Sequence, residues 1–122
     1  MGLFDMFSGV KQSDEKSKFP WIALNNVAQL DEIQLEKAKN IVIFKHSTRC
    51  GISSSVINRF EKKYQDKTAG MDFYLLDLLN YRPISNEIAE RFKITHQSPQ
   101  IIVLQNGKVK VHASHYEILE VD

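Results

Sequence analysis

The stretch "NIVIFKHSTRCGIS", residues 40–53, decides the fold, because within it a run of apolar residues gives way to the start of a helix. The segment "NIVIFKH" is apolar on both faces, which predicts a central strand in a sheet that is covered on both sides. After it, apolar residues recur at helical spacing. This stripe consists of Ile52, Val56, Ile57, Phe60 and Tyr64. A buried strand that leads directly into an amphipathic helix predicts a βαβ arrangement and a largely parallel sheet.

The rest of the chain repeats this alternation of strand and helix. Before the central strand, "WIALNN" predicts a strand and residues 27–39 predict a helix. After it, "MDFYLLDLL" predicts a strand, and "ISNEIAERF" predicts a helix capped by Ser85. Asn106-Gly107 between two strands indicates a β-hairpin, and "SHYEILEVD" predicts a short last helix. The order β-α-β-α-β-α-β-β-α predicts an α/β fold with a mixed central sheet and helices on both faces.

Composition limits the classes of protein to which the chain can belong. Its 122 residues fit one domain, which we place at residues 20–122, with residues 1–19 as an N-terminal arm of no assigned function. A net charge of +1 does not favour a nucleic-acid partner. Apolar runs reach only four residues, as in "IVIF", so no transmembrane segment is predicted. With a single cysteine and no signal peptide pattern, we expect a cytoplasmic protein.

Cys50 lies where the central strand meets the helix, and its surroundings favour the thiolate form. Unpaired N–H groups and the helix dipole stabilise negative charge at a helix N-terminus. Arg49 adjoins the cysteine, Lys45 and His46 lie nearby, and no carboxylate occurs in this stretch. Ser53 follows one helical turn later and can donate a hydrogen bond to the sulfur. A cysteine that is only a small core residue is the alternative, but the position and charge favour a reactive thiol.

The segment "THQSPQIIVL" places Pro99 directly before an apolar strand. Proline cannot donate to a sheet ladder, so Pro99 is expected at the first residue of the strand or in the cis form. Either arrangement leaves the backbone of Ser98 free to pair with a peptide that passes over the cysteine. A residue that merely marks the strand start is the simpler alternative.

These features together resemble the thioredoxin fold. The motif Cys50-Gly51-Ile52-Ser53 is a CxxC motif in which serine replaces the second cysteine. "FKHSTRCGIS", taken with "SPQIIVLQNGKV" and "ASH", resembles the monothiol bacilliredoxin family, the YtxJ-like proteins of the bacillithiol system, over about residues 20–119. "NIVIF" lacks the buried acidic residue that many thioredoxins carry beneath their cysteines, which fits a protein without a second cysteine to deprotonate.

The resemblance implies a thiol–disulfide oxidoreductase that removes bacillithiol from protein mixed disulfides. Cys50 would be the attacking group, bacillithiol a co-substrate, and bacillithiolated proteins and a low-molecular-weight thiol the partners. No tightly bound cofactor and no metal site are expected, and the oligomeric state stays open. The remaining site residues fall into two groups by position: thiolate-stabilising Lys45, His46, Arg49 and Ser53, and substrate-binding Thr48, Gly51, Ser98 and Pro99.

Two other functions remain open at this point. Cys-Gly-Ile-Ser differs by one residue from the Cys-Gly-Phe-Ser motif of monothiol glutaredoxins, which carry iron–sulfur clusters with glutathione. Those proteins usually have Thr-Val-Pro where this chain has Gln-Ser-Pro, and "VKVHASHYE" lacks their glycine pair. A thiol sensor or binding module without turnover is the second alternative, since a fold does not fix a function.

Overall fold

The computed structural model describes residues 19–121 and confirms the predicted order of elements up to the last helix. No helix in that range is both long and apolar enough to span a bilayer. The last element is a 3-10 helix rather than an α-helix. In chain order the elements are β1 (Trp21–Ala23), α1 (Ala28–Leu35), β2 (Asn40–His46), α2 (Gly51–Tyr64), β3 (Met71–Asp77), α3 (Arg82–Phe92), β4 (Gln100–Gln105), β5 (Lys108–Ser114) and the C-terminal 3-10 helix (His115–Glu120).

The five strands form one mixed sheet in the order β1-β3-β2-β4-β5. β3 runs parallel to both β1 and β2, whereas β4 is antiparallel to β2 and β5. His46 at the end of β2 is in register with Asp77, and Lys45 is in register with Gln100 at the start of β4. The segments that follow β2 and β3, and the one that precedes β4, therefore meet at one edge of the sheet. Cys50 and Pro99 both lie in these segments.

Successive residues of β2 point to opposite faces of the sheet, so the strand contributes to two cores. Val42 and Phe44 pack with α2 and the 3-10 helix, and Ile41 and Ile43 pack with α1 and α3. The first core is aromatic, with neighbouring ring centroids 4.7–6.3 Å apart; its rings are Phe19, Trp21, Phe44, Phe60, Tyr64 and Phe73. Phe19, which the sequence assigned to the arm, is thus part of the core, and residues 1–18 of the predicted arm lie outside the described range.

Three local predictions were wrong. The first helix was predicted over residues 27–39 but ends at Leu35. The backbone adopts an extended conformation at Glu36, and the Glu36 carboxylate accepts the N–H of Ala38. Ser85 lies buried inside α3, which begins after Tyr81 with a proline in its first turn. The side chain of Ile52 is 39% exposed, because the buried stripe of α2 begins one residue later. That stripe consists of Ser53, Val56, Ile57, Phe60 and Tyr64.

The predicted hairpin is confirmed. Asn106 and Gly107 have φ values of 58° and 78°, and the positive sign at both residues is that of a type I′ turn. A Cβ atom added at Gly107 would clash with the carbonyl oxygen of Gln34. Glycine is therefore needed there for both its φ angle and its lack of a side chain.

Candidate active site

Cys50 is the N-cap residue of α2 and is half-buried. Its backbone is extended, with φ −105° and ψ 120°. Its N–H donates to the Ser47 carbonyl at 3.1 Å and closes a turn, while its own carbonyl accepts the N–H of Ser54 at 3.1 Å and starts the helix. No acidic side chain lies in the first turn of α2, so nothing there offsets the positive end of the helix dipole. The sulfur is thus attached to a fixed backbone at an electropositive position.

Ser53 fixes the turn that carries the cysteine. Its side chain is fully buried, and its Oγ accepts the backbone N–H of Ser47 at 3.1 Å. A second hydrogen bond of 2.6 Å joins the same oxygen to Nδ1 of His46. These bonds run to the end of β2 rather than to the sulfur of Cys50. Ser53 therefore ties the Ser47–Cys50 turn to the central strand.

His46 lies on the α2 face of the sheet, in register with Asp77 of β3. Burial lowers the pKa of His46 below its ordinary value, and the nearby Asp77 carboxylate partly opposes this shift. One oxygen of Asp77 accepts a hydrogen bond from the Asn80 amide at 2.7 Å. The other is buried and has no hydrogen-bond partner among the described residues. His46 is therefore a neutral imidazole at neutral pH, next to a carboxylate that would stabilise its charged form.

Lys45 points to the opposite face of the sheet from the cysteine turn. It is fully buried, and its ammonium donates to the Ser85 carbonyl and to Nδ1 of His96, each at 3.3 Å. Burial, with a smaller contribution from the positive charge of Arg82, lowers the pKa of Lys45 to about 8. The pKa of His96 is also lowered, first by burial and then by Lys45 and Arg82. The structure therefore joins Lys45 to the segment that leads to Pro99 rather than to Cys50.

The Ser98–Pro99 peptide bond is cis, and β4 begins at the next residue. The Pro99 carbonyl accepts the N–H of His115 at 3.0 Å, which joins this loop to the start of the 3-10 helix. The hydroxyl of Ser98 is buried and has no hydrogen-bond partner among the described residues. Because Gln100 pairs with Lys45, Pro99 lies beside the end of β2, at the sheet edge that also carries the cysteine turn.

An open cleft of about 380 Å³ adjoins the cysteine turn. Thr48 and Arg49, both exposed, line one side, and Leu79 and Asn80 from the β3–α3 loop line the other. Gly51, which follows Cys50 in the chain, is exposed and has open space where a Cβ would stand. The neighbours Thr48, Arg49 and Gly51 are thus at the surface, whereas Ser53 and His46 are bonded to each other at the end of β2.

Comparison with known proteins agrees with this arrangement of a single thiol at a helix start. The sequence model of the family described as monothiol bacilliredoxin BrxC matches residues 22–122. The chain belongs to this family. The family match and the thioredoxin fold support a thiol oxidoreductase, and the family suggests thiol-modified proteins as partners.

Solved structures show the same fold. A protein described as having a thioredoxin fold is 28% identical to this bacilliredoxin, with a TM-score of 0.75 over 84% of this chain and 90% of its own. Thioredoxin from Trypanosoma brucei brucei is 20% identical, with a TM-score of 0.64 over 81% and 82% of the two chains. Thioredoxin from Fasciola hepatica is 18% identical, with a TM-score of 0.62 over 80% and 95%. The last two show the fold alone.

Sequence reasoning missed several residues of the bacilliredoxin site. Asp77 and Asn80 lie far from Cys50 in the chain, and only the parallel register of β2 and β3 brings them to the same edge. Ser85 was assigned as a cap, although it contacts His96 at 3.3 Å through its hydroxyl. The signal available for Asp77 was its position, since it is a polar residue at the end of a predicted strand that lies next to the central strand.

Proposed function

We propose that this protein removes bacillithiol from proteins that carry it as a mixed disulfide, with Cys50 as the attacking thiol. One observation carries the proposal: the only cysteine of the chain is the half-buried N-cap of α2, and a buried serine occupies the place of a resolving cysteine. Ser53 cannot form a disulfide, so a mixed disulfide on Cys50 must be resolved by a second molecule. The family assignment supports the same chemistry.

The proposed reaction has two exchanges. In the first, the Cys50 thiolate attacks the bacillithiol sulfur, the S–S bond between bacillithiol and the protein breaks as the Cys50–bacillithiol S–S bond forms, and the repaired protein leaves as a thiolate that takes a proton from water. In the second, the thiolate of another small thiol attacks the bacillithiol sulfur on Cys50, the two small thiols leave as a disulfide, and the Cys50 thiolate is released. No net oxidation occurs in either exchange, and bacillithiol acts as a co-substrate rather than as a bound cofactor.

The surface around Cys50 offers two places for the partners. The cleft beside the cysteine carries the Arg49 guanidinium, which would attract a small thiol that bears carboxylate groups. Pro99 lies at the same sheet edge as the cysteine turn, and the Ser98 backbone would pair with the extended segment of the protein substrate. Thr48 and Gly51 leave the approach to the sulfur open, since both are exposed.

Intact mass spectrometry tests the proposal directly. The purified protein is mixed with a test protein that carries one bacillithiol, and with the same test protein carrying glutathione instead. We expect bacillithiol to move to Cys50 and the test protein to return to its unmodified mass, whereas Cys50→Ser shows no transfer. Equal transfer of glutathione would show that the protein is not specific for bacillithiol. If neither thiol is transferred, the remaining function is that of a thiol sensor or binding module.

A further inference from the structure

A second cavity, of about 220 Å³, lies beside strands β1 and β3. Its walls include Trp21 of β1, Leu24 after β1, Leu75 and Asp77 of β3, and Tyr81 of the loop after β3. The two strands run parallel, so this β1–β3 pocket lies toward their carboxyl ends, where α/β sheets usually bind ligands. Since β3 lies between β1 and β2, the pocket is at the same edge of the sheet as the cysteine turn.

Asp77 supplies the pocket with a negative charge. One of its oxygens accepts the Asn80 amide at 2.7 Å, and the other is buried without a hydrogen-bond partner among the described residues. Asp77 also forms no salt bridge within residues 19–121. The His46 ring, its neighbour on β2, is bonded to α2 instead, and the positive charge of Arg82 acts on the α3 face of the sheet. A buried carboxylate oxygen without a donor is unfavourable, so Asp77 favours a cationic ligand that donates hydrogen bonds.

Two aromatic rings and several apolar side chains also line the pocket. The Trp21 indole N–H donates to Glu61 at 2.6 Å, which holds that ring in place, and Tyr81 supplies the second ring. A cation beside an aromatic ring is stabilised by the quadrupole of the ring, and Leu24 and Leu75 suit the apolar stem of a long basic side chain. Because a cavity of about 150 Å³ holds a benzene-sized group, this pocket is large enough for a lysine or arginine side chain.

The loop after β3 joins the pocket to the cleft beside Cys50. Asn80 lines the cleft and donates to Asp77, and the next residue, Tyr81, lines the pocket. The two cavities carry opposite charges, since the cleft contains Arg49 and the pocket contains Asp77. A protein segment that reaches Cys50 can therefore place a basic side chain in the pocket while an anionic small thiol lies in the cleft.

We propose that the β1–β3 pocket binds a lysine or arginine side chain of the protein substrate, close in sequence to the cysteine that carries bacillithiol. The cationic head donates to the Asp77 carboxylate, and the methylene stem packs against the apolar walls. Cysteines beside lysine or arginine have a lowered pKa and are therefore readily oxidised to mixed disulfides, so the pocket selects the sites at which such modification occurs. This proposal rests on the proposed function, because it requires Cys50 to react with a protein disulfide.

Exchange with two peptide mixed disulfides tests the pocket without any bacillithiol. Each peptide holds one cysteine bonded to 5-thio-2-nitrobenzoate, with either lysine or norleucine at the second residue on each side. β1 lies two strand spacings from β2, about 10 Å, and two extended residues cover about 7 Å of that distance, which leaves the rest to the side chain. The Cys50 thiolate attacks the peptide sulfur, the Cys50–peptide S–S bond forms, and the coloured nitrobenzoate thiolate leaves, so its absorbance gives the rate.

With the wild type we expect the lysine peptide to react about threefold to tenfold faster than the norleucine peptide, the effect of one ion pair and one cation–π contact. Asp77→Asn should abolish this preference and Tyr81→Leu should reduce it, whereas Asp66→Asn, the same change at an exposed residue, should keep it. Each ratio compares two peptides on one variant, so a partly unfolded variant does not distort it. Equal wild-type rates, or a preference that survives unchanged in Asp77→Asn, would overturn the proposal.

The second measurement needs no reaction at Cys50. Trp21 is the only tryptophan of the chain, so its indole N–H gives a single NMR signal. The same two peptides, with serine in place of cysteine, are added to the wild type. We expect the lysine peptide to shift the Trp21 signal at a lower concentration than the norleucine peptide does, and an equal response to both would overturn a cationic occupant. Failure of bacillithiol transfer in the mass spectrometry experiment would affect neither result, so the two proposals fail separately.

Discussion

Replacing Lys45 with methionine should change how the stability of the protein depends on pH. Lys45 is fully buried in β2, and its ammonium is held by the Ser85 carbonyl and by His96. Methionine has a similar length and keeps the apolar part of the packing, but it cannot carry a proton. The variant therefore isolates the contribution of the buried charge.

The sign of the effect follows from the lowered pKa. In the folded protein the pKa of Lys45 is about 8, against 10.5 in the unfolded chain. Between these values the unfolded chain still holds the proton and the folded protein has lost it, so a rise in pH stabilises the folded state. At about 1.4 kcal/mol per pH unit the full difference is about 3 kcal/mol, and we expect about 2 kcal/mol of it between pH 7 and pH 10. The stabilisation is absent below pH 8, where both states are protonated.

Urea unfolding at pH 7 and pH 10 measures this difference. The wild type should gain about 2 kcal/mol relative to Lys45→Met as the pH rises, and Lys110→Met, which alters an exposed lysine of β5, should follow the wild type. Parallel pH curves for wild type and Lys45→Met would refute the reasoning.

The same variants can be alkylated at Cys50 at pH 7. Because the ammonium lies on the other face of the sheet, we expect the rate to fall less than about threefold, below the loss of a direct hydrogen bond to the thiolate.

The other predictions concern the cleft and the hairpin. Arg49→Gln should slow exchange with a small thiol that bears carboxylates by about threefold to tenfold, an effect that added salt removes, whereas Arg59→Gln in the middle of α2 should not. Gly107→Ala should destabilise the protein by about 2–3 kcal/mol in urea unfolding, because φ is positive and the new Cβ meets the Gln34 carbonyl. Gly70→Ala, also at positive φ but with open space around it, should cost only about 1 kcal/mol.

Most of the fold was predictable because its signals are local. The apolar run of β2, the stripe of α2 and the Asn106-Gly107 turn each depend on neighbouring residues, and strand–helix alternation then limits the topology. The errors arose where a tertiary contact overrides a local preference. Ser53 takes the buried position that the apolar pattern predicts for Ile52, because two hydrogen bonds satisfy its hydroxyl there.

Of the site, only the residues close to Cys50 in the chain could be predicted from the sequence. Cys50 and its basic neighbours were visible, but which of them share a face depends on the alternation of β2 and on what packs against each side. Lys45 and His46 both looked close to the sulfur along the chain, yet they point to opposite faces of the sheet. Asp77 could not be connected with His46 until the register of β2 and β3 was known.

The two residues that end the central strand support both sides of the site. His46 points to the α2 face and, through Ser53, holds the turn that carries Cys50. Lys45 points to the α3 face and, through His96, holds the segment that leads to Pro99. Because side chains alternate along a strand, two consecutive polar residues at its end reach both neighbouring segments, which no pair on one face could do.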